Sequence, residues 1–202
     1  MLYEANPIIY GVWDYLIHVK AEEMRRLPAH VPHIDELKGI PEEAKWFIGF
    51  WFGGPTLLPL ARDKYFKEDP EKKGSWNSRV IDRISCQVDK IRHWRVYHKS
   101  YVDGVYSGKA AWFIDPPYQG SLGKLYKNVP PMDFNHLREW TLARKGQVIV
   151  CEGAEADWLP FKVLMETKRS AEFGTAGKKT NVQMIWTKNC PDPKKKGFGI
   201  SC

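Results

Sequence analysis

Cysteine is scarce and scattered. Cys86, Cys151, Cys190 and Cys202 are the four in the chain, and no two are spaced as Cys-x-x-Cys. No thiolate pairs are therefore set up for structural zinc, and the four read as reduced thiols of a cytosolic protein. His30 and His33 form a His-x-x-His in a proline-flanked stretch, but no second ligand pair accompanies them. A solvated loop is the reading there, and no metal is expected. Long apolar runs are missing too. The uncharged stretch Trp46–Ala61 is broken by Gly53, Gly54, Pro55 and Pro59, and it is shorter than the about 20 residues a helix needs to span a bilayer. Met1 is not followed by a basic-then-apolar leader. With no internal repeat either, the expectation is a soluble cytoplasmic protein that makes no membrane contact.

Hydrophobic residues are 43% of the 202, and aromatics 13%. That is enough for one buried core and too much for disorder. Lys plus Arg outnumber Asp plus Glu by 31 to 24, a net charge of +7 that suits a polyanionic partner without requiring one. The elements alternate. Met1–Glu4 reads as a strand end, followed by a helix that Asn6 caps, with Pro7 at its first position and Ile8, Ile9, Val12, Trp13, Leu16 and Ile17 along one stripe. Further helices are predicted over 41–52, about 77–93 and 134–144, the last capped by Asp133 and stopped by Gly146. Strands are predicted over 94–98, 110–115, 147–151, 161–167 and 181–187.

Residues 110–118, Ala-Ala-Trp-Phe-Ile-Asp-Pro-Pro-Tyr, carry the chemistry. An uncharged run suits a strand buried on both faces of a mostly parallel sheet, with Phe113 in the core. Pro116 and Pro117 end it, because neither can extend a ladder, and so hold Asp115 and Tyr118 on a stiff turn at the strand's carboxyl end. Open α/β sheets bind ligands at such ends. The Asp115 carboxylate and the Pro116 carbonyl can accept hydrogen bonds from an exocyclic amino group and stabilise positive charge developing on its nitrogen. Tyr118 offers a ring on which an extruded base can stack.

Asp115-Pro116-Pro117-Tyr118 resembles the signature of the Dam-type DNA adenine methyltransferases of bacteria and phages. The resemblance extends to Tyr3-Glu4-Ala5-Asn6-Pro7 and the segment after it, to the aromatic stretch Trp46–Phe52, to Cys86–Trp94, to Gln147–Glu152 and to Trp158–Phe161. It covers nearly everything short of the lysine-rich tail. It implies a Rossmann-like methyltransferase sheet with helices on both faces, closed by the strand pair 161–167 and 181–187. The implied reaction moves a methyl group from S-adenosyl-L-methionine to the adenine amino group of double-stranded DNA, as in restriction-modification systems. By the same resemblance Asp115, Pro116, Pro117 and Tyr118 are catalytic, Asp115 also lies against the methyl donor, and Glu4 binds the ribose hydroxyls. Glu4 also reads as an ordinary acid near a helix start. Glu152 reads equally as a cleft-lining residue or a solvated strand-end acid.

One departure matters. In the family, a lysine-containing segment and a glycine-rich donor loop precede the acid matched by Glu4, and here Met1 stands three residues before it. Phe52-Gly53-Gly54-Pro55 and Gly197-Phe198-Gly199 are poor substitutes, since neither joins a strand to a helix. The expectation is thus a chain lacking the first strand: a truncated gene, a late start, or one half whose complement is another polypeptide. The segment of about 54–78 is expected to face DNA. Lys64, Lys67, Lys72, Lys73 and Arg79 would meet phosphates, and Trp76 would stack, although ordinary solvated charge is an equal alternative. Residues 1–190 are expected to form the methyltransferase domain, with 191–202 as a tail. Two rivals stay open: a non-catalytic remnant that binds DNA, and an amino-methyltransferase acting on RNA or a protein amide.

Overall fold

Asn6 starts the first helix as its sequence predicts. Its side-chain oxygen accepts the backbone N–H of Ile8 at 2.9 Å and of Ile9 at 3.3 Å, filling two of the donors that a helix start leaves open. The computed structural model describes residues 1–31, 37–51, 76–103, 106–121, 123, 131–168 and 180–190. They belong to two compact units, Met1–Val105 and Tyr106–Cys202, and together make a mixed α/β protein.

In unit 1, β1 (Leu2–Glu4) leads into α1 (Pro7–His18), the short α2 (Ala21–Arg25), α3 (Glu42–Phe50) and α4 (Ser78–Val88). A single 3-10 turn at Asp89–Ile91 then passes to β2 (Val96–His98), which pairs in parallel with β1 in a two-stranded sheet. The core is helical. Val12 of α1, Met24 of α2, Phe47 and Ile48 of α3, and Val80, Ile81 and Val88 of α4 are buried together. In α4, Val80 and Ile81 stand eight and seven residues before Val88, two helical turns, which gathers the three on one side.

Trp76 belongs to that core, with 2% of its surface exposed. Its indole Nε1 donates to the Pro28 carbonyl at 2.8 Å, and its ring meets Phe47 edge-on at 5.6 Å. This corrects the expectation of a DNA-stacking ring, because a side chain enclosed by packing has no face to offer a base. Among the other candidate DNA contacts, Arg79 is exposed at the start of α4. Lys64, Lys67, Lys72 and Lys73 lie outside the described residues.

In unit 2, β3 (Ala110–Ile114), α5 (Phe134–Leu142), β4 (Gly146–Gly153), β5 (Lys162–Lys168) and β6 (Thr180–Lys188) follow in order. The sheet order is β3-β4-β6-β5; β4 runs parallel to β3, while β6 is antiparallel to both β4 and β5. Gly146 opens β4 at φ 101°, and a Cβ there would run into the Ala110 carbonyl, so the close start of the β3–β4 pair requires glycine. The Trp112 ring meets Trp140 of α5 edge-on at 5.6 Å, and Arg144 lies over both. Val148 and Val150 are fully buried.

The expectation that β3 is buried on both faces, with Phe113 in the core, is corrected here. Its exposure alternates along the strand, and Phe113 is 68% exposed. The period of two puts Ala111 and Phe113 opposite Trp112, and α5 covers only the Trp112 side among the described residues of the unit. No described helix is long and apolar enough to cross a membrane.

Candidate active site at the carboxyl ends of β3 and β4

In-register pairing of Ile114 with Val150 brings the ends of two parallel strands together. Asp115 leaves the end of β3 and Glu152 lies near the end of β4, so two carboxylates meet where an open α/β sheet presents ligands. Pro116 is buried and Pro117 half-buried, which seats the turn against the unit. All four residues of the predicted catalytic tetrapeptide are at this strand end.

Asp115 itself is exposed, yet partial burial lifts its carboxyl above the ordinary carboxylate range, and a hydrogen bond with Tyr118 opposes the shift. The Tyr118 hydroxyl also donates to Oε1 of Gln183 on β6 at 3.0 Å. One phenol proton cannot serve both acceptors. Turning the Gln183 amide over resolves the conflict, since Nε2 then donates to Tyr118 while Tyr118 donates to Asp115. The half-buried Cys151 thiol is pushed up by burial and then by the Asp115 charge, which keeps it protonated and a poor nucleophile.

Glu152 is the residue that sequence left undecided. It is fully buried, and each of its oxygens is occupied. Oε1 accepts Trp158 Nε1 at 2.9 Å, Oε2 accepts the Gly153 N–H at 3.0 Å, and the Gln119 N–H is shared between them at 3.3 and 3.2 Å. Burial pushes its carboxyl up, against those hydrogen bonds and with the Asp115 charge. The alternation along β4 is the signal that marked it: Val148, Val150 and Glu152 fall on one side, so the acid continues the buried face.

The loop beyond Tyr118 is held twice more. Gln119 and Asp157 exchange hydrogen bonds, Nε2 to Oδ1 at 2.9 Å and the Asp157 N–H to Oε1 at 3.0 Å. Glu155 accepts the Ser121 N–H at 3.0 Å and also its hydroxyl. Beside this loop lies an open depression of about 610 Å³, lined by Gln119, Asp133, Phe134, Asn135, Arg138 and Trp158 among others. The surroundings are acidic, with Asp115, Glu152, Glu155 and Asp157 in one short stretch of structure. Negative charge of that density favours a cation or a developing positive charge over a phosphate.

No family model, curated protein or solved structure matches the chain.

Glu4, in unit 1, stands at the carboxyl end of β1. Its Oε1 accepts the Asn6 N–H at 2.7 Å, so the acid takes part in the entrance to α1. Burial raises its carboxyl, while backbone hydrogen bonds and His98 lower it.

S-adenosylmethionine carries ribose hydroxyls and a sulfonium. The second Glu4 oxygen can still accept from a ribose hydroxyl, and the acidic end of β3 and β4 suits a sulfonium. Among the described residues, however, no glycine-rich loop joins a strand to a helix; Gly39, Gly120 and Gly146 are the glycines with positive φ, and none has that position. Taken each by itself, unit 1 offers an acceptor for a ribose hydroxyl at Glu4, and unit 2 offers an acidic strand end for a sulfonium.

Proposed function

We propose that this chain is a Rossmann-like DNA adenine methyltransferase, working on double-stranded DNA in the cytoplasm of a bacterial or phage-infected cell. The observation that carries the reading is the Asp115-Pro116-Pro117-Tyr118 turn at the carboxyl end of β3, beside the parallel β4. The antiparallel pairing of Lys162–Lys168 with Thr180–Lys188 adds support, since the resemblance implies a closing strand pair.

When bound, S-adenosylmethionine supplies an electrophilic methyl group. The chain's own residues prepare the nucleophile. Asp115 and the Pro116 carbonyl accept the two amino hydrogens of adenine, which draws the nitrogen lone pair out of the ring and stabilises the positive charge as nitrogen attacks. A carboxylate acceptor is worth more here than a neutral amide, because the charge it faces is formed only in the transition state. Glu152 holds the Gln119 amide, and with it the turn, in place.

The test is transfer of radiolabelled methyl groups to duplex DNA by the parent chain and by Asp115→Ala, alongside calorimetric titration of the donor into the parent and Glu4→Ala. The expected results are loss of transfer in Asp115→Ala with its folding intact, and weaker donor binding in Glu4→Ala. Undiminished turnover in Asp115→Ala would refute the assignment. A DNA-binding remnant is the second reading, favoured by the lack of a donor loop among the described residues. A folded parent that binds DNA but neither binds nor uses the donor would establish it.

A further inference from the structure

We propose that unit 1 carries a groove for single-stranded nucleic acid at the amino-terminal ends of β1 and β2, where Arg95 grips a phosphate and Trp94 stacks a base. The proposal stands apart from methyl transfer and needs no methyl donor.

The location follows from the strand register. Leu2 pairs with Val96, and the Leu2 N–H donates to the Arg95 carbonyl at 2.8 Å, so Arg95 marks the start of the two-stranded sheet. Glu4 and His98 mark its other end. A groove of about 390 Å³ opens at the start, lined by Asp14, His18, Arg92, His93, Trp94 and Arg95 among others. Four of these six side chains are arginines or histidines, against one acid.

That acid is already engaged, with Asp14 Oδ1 3.4 Å from the His18 ring. Arg92 is engaged as well. It donates to the carbonyls of Ile17 at 3.0 Å and Val19 at 2.7 Å, and to Asp89 at 2.8 Å. Its task is to close the carboxyl end of α1, whose negative pole would otherwise repel an anion. With that pole answered, Arg95 and His93 remain, both exposed and without an ion pair among the described residues.

The aromatic half of the groove is built the same way. Trp94 is 36% exposed and leans on Trp13 at 5.8 Å; Tyr97 is equally exposed and stacks on Tyr3 at 5.6 Å with 23° between the planes. Each ring is backed by another, so it is held ready for a ligand at little cost in side-chain entropy. Alternating cation and aromatic ring is the lining that tracks a single strand, in which bases are free to stack on protein. A duplex presents base edges and no faces, and so cannot use Trp94. A free nucleotide would need to bury most of its surface, whereas Arg92, His93, Trp94, Arg95 and Tyr97 are all exposed.

The experiment is fluorescence anisotropy of a labelled oligodeoxythymidine of twelve nucleotides with the full chain, across a salt series. Trp94→Ala is expected to weaken binding about 5- to 150-fold, the range of one base–aromatic stack, and Trp94→Phe to restore most of it. Arg95→Gln is expected to flatten the plot of log affinity against log salt by about 0.7, one phosphate contact to a single strand. Arg95 is a surface residue, so its variant keeps the test alive if Trp94→Ala does not fold. Parent-like binding and salt slope in folded Trp94→Ala and Arg95→Gln would overturn the proposal, as would a parent that does not bind the oligomer. AMP that binds as tightly as the oligomer, with the same dependence on Arg95, would overturn the strand in favour of a free nucleotide.

Discussion

Removing the Glu152 carboxylate should unsettle the catalytic turn before it unfolds the chain. In Glu152→Ala three N–H groups lose their acceptor: Trp158 Nε1, the Gln119 amide and the Gly153 amide. The Trp158 indole is buried and cannot be rescued by solvent, so it loses a full hydrogen bond to a charged group, about 1.5–3 kcal/mol. The half-buried Gln119 amide finds water, about 0.5–1 kcal/mol, whereas the Gly153 amide is buried and its loss costs about 1–3 kcal/mol. Relief of the buried charge returns part of this, leaving a net loss of about 2–4 kcal/mol. Urea unfolding measures the loss, and hydrogen exchange at the Gln119 amide shows whether the turn has come free. A loss under about 1 kcal/mol with the Gln119 amide still protected would refute the reasoning. The pH dependence adds a sign. Burial raises the folded carboxyl above the ordinary 4.5, so the folded chain holds that proton more tightly than the unfolded chain does. The group's contribution is therefore full below about 4.5 and is lost as pH climbs through the raised value. The stability margin of the parent over Glu152→Gln should narrow across that interval, and a margin that widens would show that the carboxylate is net favoured by its hydrogen bonds.

Trp76→Ala should cost about 3–5 kcal/mol, because it empties a site in the helical core of unit 1; urea unfolding reads it, and parent-like stability would return Trp76 to the surface. Asn6→Ala should cost about 1 kcal/mol and Asn6→Gly only a few tenths, the pattern of a lost cap; equal stability of all three chains would show that the bonds to Ile8 and Ile9 carry nothing.

Local signals in this sequence are legible and distant ones are not, for physical reasons. Asn6-Pro7 places α1, and the uncharged run before Asp115 places β3, because capping, proline and strand patterning act within a few residues. Nothing local in the sequence announces the short α2. It depends on packing Met24 into a core supplied by three other helices, and five residues carry too little periodicity to announce themselves. The charged residues before Trp76 point to a surface ring, whereas its burial depends on Phe47 and on a carbonyl 48 positions away, at Pro28. An uncharged strand such as that around Phe113 is compatible with either face being covered; only the position of α5 decides.

The same contrast explains why Glu152 is kept. A leucine there would pack against Val148 and Val150 on the buried side of β4 and spare the fold a desolvated charge, a replacement often neutral or favourable where the polar partners go too. Here the partners cannot go. The Gln119 amide belongs to the backbone that follows the Asp115-Pro116-Pro117-Tyr118 turn, and Trp158 packs edge-on against Phe161 at 5.3 Å, so both donors stay whatever residue faces them. An acceptor with two oxygens at the end of β4 satisfies them together and ties the turn to the sheet from which it departs. The stability given up to a buried carboxylate is thus the cost of fixing where Asp115 stands, and a site that must place an acceptor on a particular amino hydrogen gains from that fixity.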